Sequence, residues 1–238
     1  RIGRDAAMVG QLAVGVATSL GATTINGDLT VDVDSTLSFA AITVDGDLGV
    51  TAGGNVTQSG ALAVAGTASF TTDVDDQTIT LSNAANAFTG AVDFTTQGTT
   101  ANVTIDNGTT ALDLGASTVT GNLAITAGNV ITDSGALTVA GTASFTTDVD
   151  DMAITLDQSH AVAGAVDFTT NGTAGHVTIV TVTNLTAALT KLQDGGFWVY
   201  AAEAGGEPAH RAKLTGRVAL VLGSEGSGVS RLVKERAD

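Results

Sequence analysis

The sequence predicts a mainly β protein, a parallel β-solenoid of the right-handed β-helix type, followed by a short α/β segment. Three observations predict this fold. A unit of 75 residues occurs twice, short runs alternate apolar and polar residues, and the composition changes sharply near residue 181. A long, near-identical repeat is typical of array architectures, and period-two alternation between turn residues is typical of strands.

The repeat is most evident where Ser59–Asp76 returns as Ser134–Asp151 with a single difference. The match extends backwards to residue 43 and forwards, after a one-residue deletion, to residue 179. We therefore place the two units at about 43–117 and 118–180. The spacing of the alternating runs predicts roughly four coils of about 19 residues in each unit.

Within each coil, the Val, Ile, Leu and Phe residues at alternate positions are expected to point inward, and Thr and Asp to face solvent. Each coil would then cover the apolar edge of the next. An antiparallel sandwich is the competing fold, because it predicts Asn-Gly hairpin turns between paired strands. Three such pairs occur, at Asn26-Gly27, Asn107-Gly108 and Asn171-Gly172.

Charge divides the chain in the same way as composition. Residues 1–180 contain 18 Asp and only 2 Arg, whereas residues 181–238 contain 6 acidic and 7 basic residues. The negative field of the first part is unfavourable for nucleic acid and for anionic membranes. The chain has no Cys, which excludes disulfides and thiolate metal sites, and it has no apolar run long enough to predict a membrane span.

Residues from about 20 to 180 resemble the repeats of bacterial adhesins of the filamentous-haemagglutinin or autotransporter type. The resemblance lies in Gly/Thr/Asp-rich phrases such as Ser134-GALTVAGTASF. It implies a secreted or cell-surface rod that acts as a spacer or an adhesive. Its implied partners are surface or matrix components, or further repeats.

Two acidic clusters in the repeat are candidate Ca²⁺ sites, because Ca²⁺ prefers carboxylate and carbonyl oxygens. Their candidate ligands are Asp73, Asp75 and Asp76 in the first copy, and Asp148, Asp150 and Asp151 in the second. The spacing matches neither an EF-hand loop nor a glycine-rich calcium repeat. We favour the alternative, a solvated acidic turn between coils.

Two histidines, His160 and His176, occur only in the second copy. Aligned across the copies, their counterparts are Ala85 and Asn102. A metal site would be unusual in a repeat of which one copy lacks both ligands. We therefore expect both histidines to lie on the surface.

The composition after residue 181 indicates alternating helix and strand. Leu185, Leu189 and Leu192 form a helical stripe within 182–196. Residues 197–202 and 217–223 are each predicted to be buried strands, the second with a continuous apolar run suited to a parallel sheet. A glycine-rich loop and a helix at 229–236 follow, which is the element order of an α/β fold.

The glycine-rich loop at 223–228 is a candidate ligand site. Such a loop between a strand and a helix lets backbone N–H groups approach a ligand closely, beside a helix N-terminus. Spacing alone is equally consistent with a tight strand-to-helix turn. No Lys-Ser/Thr pair follows Gly228, so the loop is not a nucleotide-binding Walker motif.

The phrases Val182-TNLTAALTKLQDGGFWVYAAE and Leu214-TGRVALVLGSEGSGVSRLVKERAD resemble the SpoU family of AdoMet-dependent RNA ribose 2′-O-methyltransferases, a branch of the SPOUT class. The resemblance covers 182–238 and implies a partial SPOUT-like segment. In that family the loop forms one wall of the S-adenosylmethionine (AdoMet) pocket. The resemblance therefore implies cofactor binding by Leu222, Gly223, Ser224, Glu225, Gly226 and Gly228.

Two further motifs of that family are not found in this sequence. The first carries an Asn and an Arg that help to activate the ribose hydroxyl, and the β-repeat occupies its expected region. The third, a Ser-x-Asn segment, is expected after Asp238. We therefore expect domains at 1–180 and 181–238, with a catalytically incomplete methyltransferase segment and no assignable catalytic residue. RNA is implied as a partner only of a completed enzyme, and this segment implies a cytoplasmic location.

Overall fold

The computed structural model describes residues 13–14, 18–181, 185–202 and 216–222, which contain 26 strands and one helix. The strands before the second repeat copy are β1 (Ala13–Val14), β2 (Thr18–Leu20), β3 (Thr23–Ile25), β4 (Leu29–Val33), β5 (Leu37–Phe39), β6 (Ile42–Val44), β7 (Leu48–Ala52), β8 (Val56–Gln58), β9 (Leu62–Val64), β10 (Ala68–Asp75), β11 (Ile79–Leu81), β12 (Ala87–Phe88), β13 (Val92–Gln97), β14 (Val103–Asp106) and β15 (Leu112–Leu114).

The second copy begins near β16 and leads into the C-terminal segment. Its strands are β16 (Ser117–Val119), β17 (Leu123–Ala127), β18 (Ile131–Asp133), β19 (Leu137–Val139), β20 (Ala143–Asp150), β21 (Ile154–Ser159), β22 (Ala161–Val162), β23 (Val166–Asn171) and β24 (Val177–Thr181). The elements after these are α1 (Leu185–Asp194), β25 (Trp198–Ala202) and β26 (Val218–Leu222).

The strands form three parallel sheets that run along a β-solenoid of about nine turns. Sheet A has the order β1-β4-β7-β10-β13-β15-β18-β21-β24-β26-β25, sheet B has β2-β5-β8-β11-β14-β17-β20-β23, and sheet C has β12-β9-β6-β3. The strands β16, β19 and β22 form a further row attached to sheet A. The predicted parallel solenoid is thus confirmed, while the hand of the coil stays a prediction.

The antiparallel sandwich is wrong, because every pairing between described strands is parallel. The Asn-Gly pairs make coil corners instead of hairpins. Their glycines, Gly27, Gly108 and Gly172, have φ values of 128°, 54° and 80°. These values lie in the left-handed region that glycine enters without steric cost.

The core follows from the predicted alternation. In β4, for example, Leu29, Val31 and Val33 are buried while Thr30 and Asp32 face outward. Removal of these apolar side chains from water is the main favourable term in folding. Each copy also contributes one stacked phenylalanine pair: the ring centroids are 6.0 Å apart in Phe70–Phe94 and 5.4 Å apart in Phe145–Phe168.

Asp and Asn side chains join successive coils at the corners. Asp47 Oδ1 accepts a hydrogen bond of 2.7 Å from the backbone N–H of Thr67, one coil later. Asn122 Oδ1 accepts the equivalent bond of 2.8 Å from Thr142. These bonds satisfy backbone donors that the ladders leave unpaired where the chain turns.

The number of coils per repeat differs from the prediction. Residues paired across neighbouring coils are 19 apart between Leu29 and Leu48 but 24 apart between Ala68 and Val92. Some coils are therefore longer than the expected length of about 19 residues, and fewer than four fit in one unit. Within sheet A, Ala68 pairs with Val92, Val92 with Leu114, and Leu114 with Asp133, which is a path of three coils.

Because the repeat does not contain a whole number of coils, its two copies lie on different faces. Ala68 of the first copy is in β10 of sheet A, whereas its counterpart Ala143 is in β20 of sheet B. The shift from one face to the next takes place directly after β13, because this strand pairs with two later strands. Val92 pairs with β15, and Thr95 pairs with β16. Sheet C ends at β12 in the same region.

The C-terminal segment continues sheet A. Strand β24 pairs with β21 of the solenoid on one side and with β26 on the other. Helix α1 packs against β23 and covers the end of the core, with Leu189, Leu192 and Phe197 buried.

The helix predicted within 182–196 and the strands predicted at 197–202 and 217–223 are confirmed, and they share one hydrophobic core with the last coils. The predicted burial of the first strand is wrong, because β25 is the edge strand of sheet A and Trp198 is 55% exposed.

Candidate functional site

The candidate cofactor site lies where the C-terminal strands end. Strands β24, β26 and β25 are parallel, and Ala202 pairs with Leu222 at the last position of both β25 and β26. Their carboxyl ends therefore lie along the same edge of the sheet. In open α/β sheets this edge is the usual ligand-binding region.

Leu222 is the one predicted cofactor residue whose backbone the structure describes, and it is the last residue of β26. The other five lie outside the described residues; they are Gly223, Ser224, Glu225, Gly226 and Gly228. The helix predicted at 229–236 also lies outside them. Strand β26 is held from both sides, and its Ala219 and Val221 are buried.

Arg217, directly before β26, connects this segment to the solenoid. Its guanidinium group donates to the carbonyl oxygen of Thr170 at 2.8 Å and to that of Gly195 at 3.1 Å. It also lies over the ring of Phe197, with Cζ 4.3 Å from the centroid. Hydrogen bonds from a charged donor and cation–π contact together favour one position of β26 on the last coil.

The acidic clusters have a different role from the calcium sites we considered. Asp76 Oδ1 accepts hydrogen bonds from the N–H groups of Thr99 and Thr100, at 2.7 and 2.8 Å. These two backbone bonds hold the pKa of Asp76 below its usual value. Asp151 makes the equivalent bonds to Thr173 and Ala174 in the second copy.

The remaining cluster residues, Asp73, Asp75, Asp148 and Asp150, are exposed on the ends of β10 and β20. Among the residues that the structure describes, no group of three or more His, Cys, Asp or Glu side chains could hold a metal ion. The favoured alternative, a solvated acidic turn between coils, matches this arrangement.

The expectation of two surface histidines is right for His176 and wrong for His160. His176 is exposed, but His160 is buried, with its side chain 1% exposed. The imidazole Nδ1 accepts a hydrogen bond of 3.0 Å from the N–H of Leu137. Nε2 lies 3.0 Å from Oδ2 of Asp133, a carboxylate whose side chain is 0% exposed.

Asp133 is ionised although its side chain is fully buried. Burial by itself would raise its pKa, but hydrogen bonds from His160 and from the N–H groups of Asp157 and Gln158 outweigh burial, and the net pKa is lowered. The two backbone bonds measure 2.8 and 3.0 Å. The carboxylate therefore joins its own coil to the following one.

The first copy has an uncharged pair in the same place. There, Asn86 Oδ1 accepts the N–H of Leu62 at 2.9 Å, and the Asn86 and Gln58 amides are bonded to each other at 2.8 and 3.0 Å. Leu62 is the repeat counterpart of Leu137, so His160 corresponds to Asn86 and not to Ala85. Placing the one-residue deletion before His160 would have revealed from the sequence that Gln58 and Asn86 change together.

These features define the chain as a tandem-repeat β-solenoid with an α/β segment at its C-terminal end. Residues 27–95 and 100–169 match the family described as repeats of unknown function (DUF5649). The match covers more than half of the chain, and the chain therefore belongs to this family.

The C-terminal part is similar to a second family. Residues 138–238 match the SpoU rRNA Methylase family, which agrees with the resemblance found in the motifs. This match begins within the second copy and overlaps the repeat match between 138 and 169. The C-terminal segment is thus similar to the SpoU rRNA Methylase family and follows the repeats in the chain. The adhesin resemblance stays a prediction.

Part of the chain is also similar in sequence to individual proteins. A Staphylococcus aureus (strain COL) protein assigned to the TrmH family of tRNA/rRNA methyltransferases is 37% identical over 93 residues, which cover 39% of this chain and 38% of that protein. A Staphylococcus saprophyticus protein of the same description is 36% identical over 91 residues, covering 38% and 36%. An uncharacterized tRNA/rRNA methyltransferase of Borreliella burgdorferi is 37% identical over 71 residues, covering 29% and 31%.

The matched region thus spans less than two fifths of the length of these relatives. No solved structure gives a significant match to the chain. The one helix in the described part of the chain, α1, is too short to cross a membrane.

Proposed function

We propose that the C-terminal part is the cofactor-binding portion of a SpoU-type RNA ribose 2′-O-methyltransferase, with Leu222–Gly228 as one wall of an AdoMet pocket. One observation carries the proposal: β26 ends at Leu222 on the sheet edge where β24 and β25 also end. Ligands of parallel α/β sheets bind at this edge. Relatives described as tRNA/rRNA methyltransferases favour RNA as the substrate class.

The residues of this loop suit a cofactor. Gly223, Gly226 and Gly228 have no Cβ, so backbone N–H groups there can approach a ligand closely. When bound, AdoMet supplies an activated methyl group. The role of this chain is to bind the cofactor. Arg217 holds in position β26, the strand that leads into the loop.

We further propose that residues 1–238 alone bind AdoMet without transferring its methyl group. The stretch before β24, where the first family motif would be expected, forms solenoid coils. No Lys or Arg occurs between Arg4 and Lys191. These coils therefore offer no cation to orient the ribose or to neutralise RNA phosphates, and their carboxylates repel RNA.

The two halves of this proposal are tested on the whole chain. Calorimetric titration with AdoMet should show saturable binding, which Gly226→Val should abolish because a branched side chain would hinder the proposed approach of the backbone to the cofactor. Gly21→Val is the matched control, since Gly21 has open space around it. An absence of binding by the parent would overturn the cofactor site. Transfer of labelled methyl to ribosomal RNA would overturn the proposed inactivity.

The alternative function is a structural or adhesive rod whose C-terminal segment is only a cap. The core that continues from the last coils into α1 and β26 favours this alternative. Removal of residues 182–238 should then lower the melting temperature, because it exposes Ile179 and Phe168. For a rod with a simple cap, AdoMet should leave the melting temperature of the whole chain unchanged.

We also propose that the repeat and the methyltransferase segment meet in β24, close to the expected division at residue 181. This strand pairs with β21 of the repeat and with β26 of the segment. It therefore completes the last coil and begins the C-terminal sheet. Hydrogen exchange should show one protection level across β21, β24 and β26; a boundary elsewhere would show a step between these strands.

A further inference from the structure

We propose that the buried Asp133–His160 pair is an acid-sensitive clamp between coils of the second copy, for which the Gln58–Asn86 pair of the first copy is an insensitive counterpart. Both pairs support equivalent strands. His160 accepts the N–H of Leu137 in β19, and Asn86 accepts the N–H of Leu62 in β9. Only the second pair can change its protonation state near neutral pH.

The geometry gives the direction of the effect. Nδ1 of His160 must be unprotonated to accept the N–H of Leu137, so a neutral imidazole carries its proton on Nε2, which faces Asp133. A second proton would have to enter at Nδ1, where it would meet the Leu137 N–H group. Protonation therefore removes a buried hydrogen bond and leaves two donors facing each other.

An opened coil has no such restriction. When β19 and β22 separate, Nδ1 no longer has to accept the Leu137 N–H and can bind a proton. The open form then binds more protons than the closed form, so acid favours opening. If the closed form takes up no proton and the open form has the reference imidazole pKa of about 6.5, the fraction open rises by up to about thirtyfold between pH 7.5 and pH 5.

Other titratable groups on the packed strands leave this direction unchanged. Asp113 of β15 is half-buried on the outer face, where it accepts a hydrogen bond from Thr132 of β18. Asp157 of β21 is exposed and accepts from the Gln158 amide. The strands β19, β22 and β24 contain no titratable side chain, and His176 beside β24 is exposed.

Asp133 acts in the same direction at lower pH. Its folded-state pKa is lowered, so its stabilising contribution is present above the ordinary value of 3.8 and is lost as the pH falls through the lowered pKa. Between pH 7.5 and 5 the carboxylate stays ionised. The change in this window therefore belongs to His160.

The test is residue-resolved hydrogen exchange of the full chain at pH 7.5 and 5.0, corrected for intrinsic rates. Protection of the Leu137 amide should fall about tenfold or more, while that of Leu62 should change less than about twofold. The double variant Asp133→Gln/His160→Asn installs the first-copy pair and should remove the response. The reverse variant, Gln58→Asp/Asn86→His, should transfer it to Leu62.

Each outcome decides the proposal. Equal protection of Leu137 at both pH values overturns it, and so does a response that persists in the Asp133→Gln/His160→Asn variant. If the reverse variant does not fold, the parent and the first double variant suffice. None of these readouts depends on AdoMet or RNA.

Discussion

The two repeat copies have nearly the same sequence but occupy different faces of the solenoid. Strand β10 of the first copy lies in sheet A, and its counterpart β20 lies in sheet B. Both strands nevertheless have the same burial pattern, because their side chains point inward at equivalent positions. In a solenoid each coil contacts only its neighbours, so a strand needs a matching strand above and below and no particular face.

The largest effect on stability is expected from substitution of the stacked phenylalanines. Comparing one substitution in each copy tests whether the two faces contribute equally to the free energy of unfolding. Phe70 contacts two rings, Phe88 and Phe94, whereas Phe145 stacks on Phe168. Phe145→Ala should cost about 3–5 kcal/mol of unfolding free energy, and Phe70→Ala somewhat more because it loses a second ring contact. Denaturant titration measures both, and a loss below about 1 kcal/mol for either would contradict the shared core.

A smaller effect is expected from the buried amide of the first copy. Asn86→Ala removes the acceptor for the Leu62 N–H and the donor to Gln58 Oε1, and should cost about 1–3 kcal/mol. Asn129→Ala is the matched control, since Asn129 is exposed and bonds only to the next backbone N–H. Equal melting temperatures for the two variants would show that the Asn86 bonds contribute nothing.

The attachment of the C-terminal segment to the solenoid depends in part on one side chain, Arg217. Arg217→Ala removes the bonds to Thr170 and Gly195 and should cost about 1–2 kcal/mol, with faster exchange in β26 than in β23. Arg217→Lys keeps the charge but cannot reproduce the forked geometry, and should recover only part of this. Unchanged exchange in β26 for Arg217→Ala would mean that the pairing with β24 and the packing of α1 on β23 hold the segment without Arg217.

The smallest effect is expected at the exposed corner carboxylates. Because the Thr99 and Thr100 N–H groups lower the pKa of Asp76, its contribution is present at neutral pH and is lost as the pH falls below about 4. Asp76→Asn keeps a residue that tolerates the φ of 61° but removes the charge. Its melting temperature should be lower than that of the parent at pH 7 and equal at pH 2; a difference that persists in acid would exclude this cause.

Sequence reasoning predicted what depends on local pattern. Alternation and turn residues predicted the strands and the parallel solenoid, and the Leu185, Leu189 and Leu192 stripe predicted α1. The coil number was missed because repeat length and coil length are independent quantities. Corners of varying length change the coil without disturbing the alternation within strands.

The contacts that sequence reasoning missed join distant residues. Arg217 bonds to Thr170, 47 positions earlier, and no local pattern connects them. His160 was predicted to be on the surface because alignment paired it with Ala85. Its burial depends on Asp133, and histidine becomes a core residue only when both ring nitrogens have partners.

The shift of one face per copy has a consequence for longer arrays. If each 75-residue unit advances the long strand by one of three faces, successive units follow a screw axis along the rod. Any outward side chain would then return to the same side only at every third unit. Gene duplication in this family would thus distribute identical surface motifs around the circumference, and not in a single row.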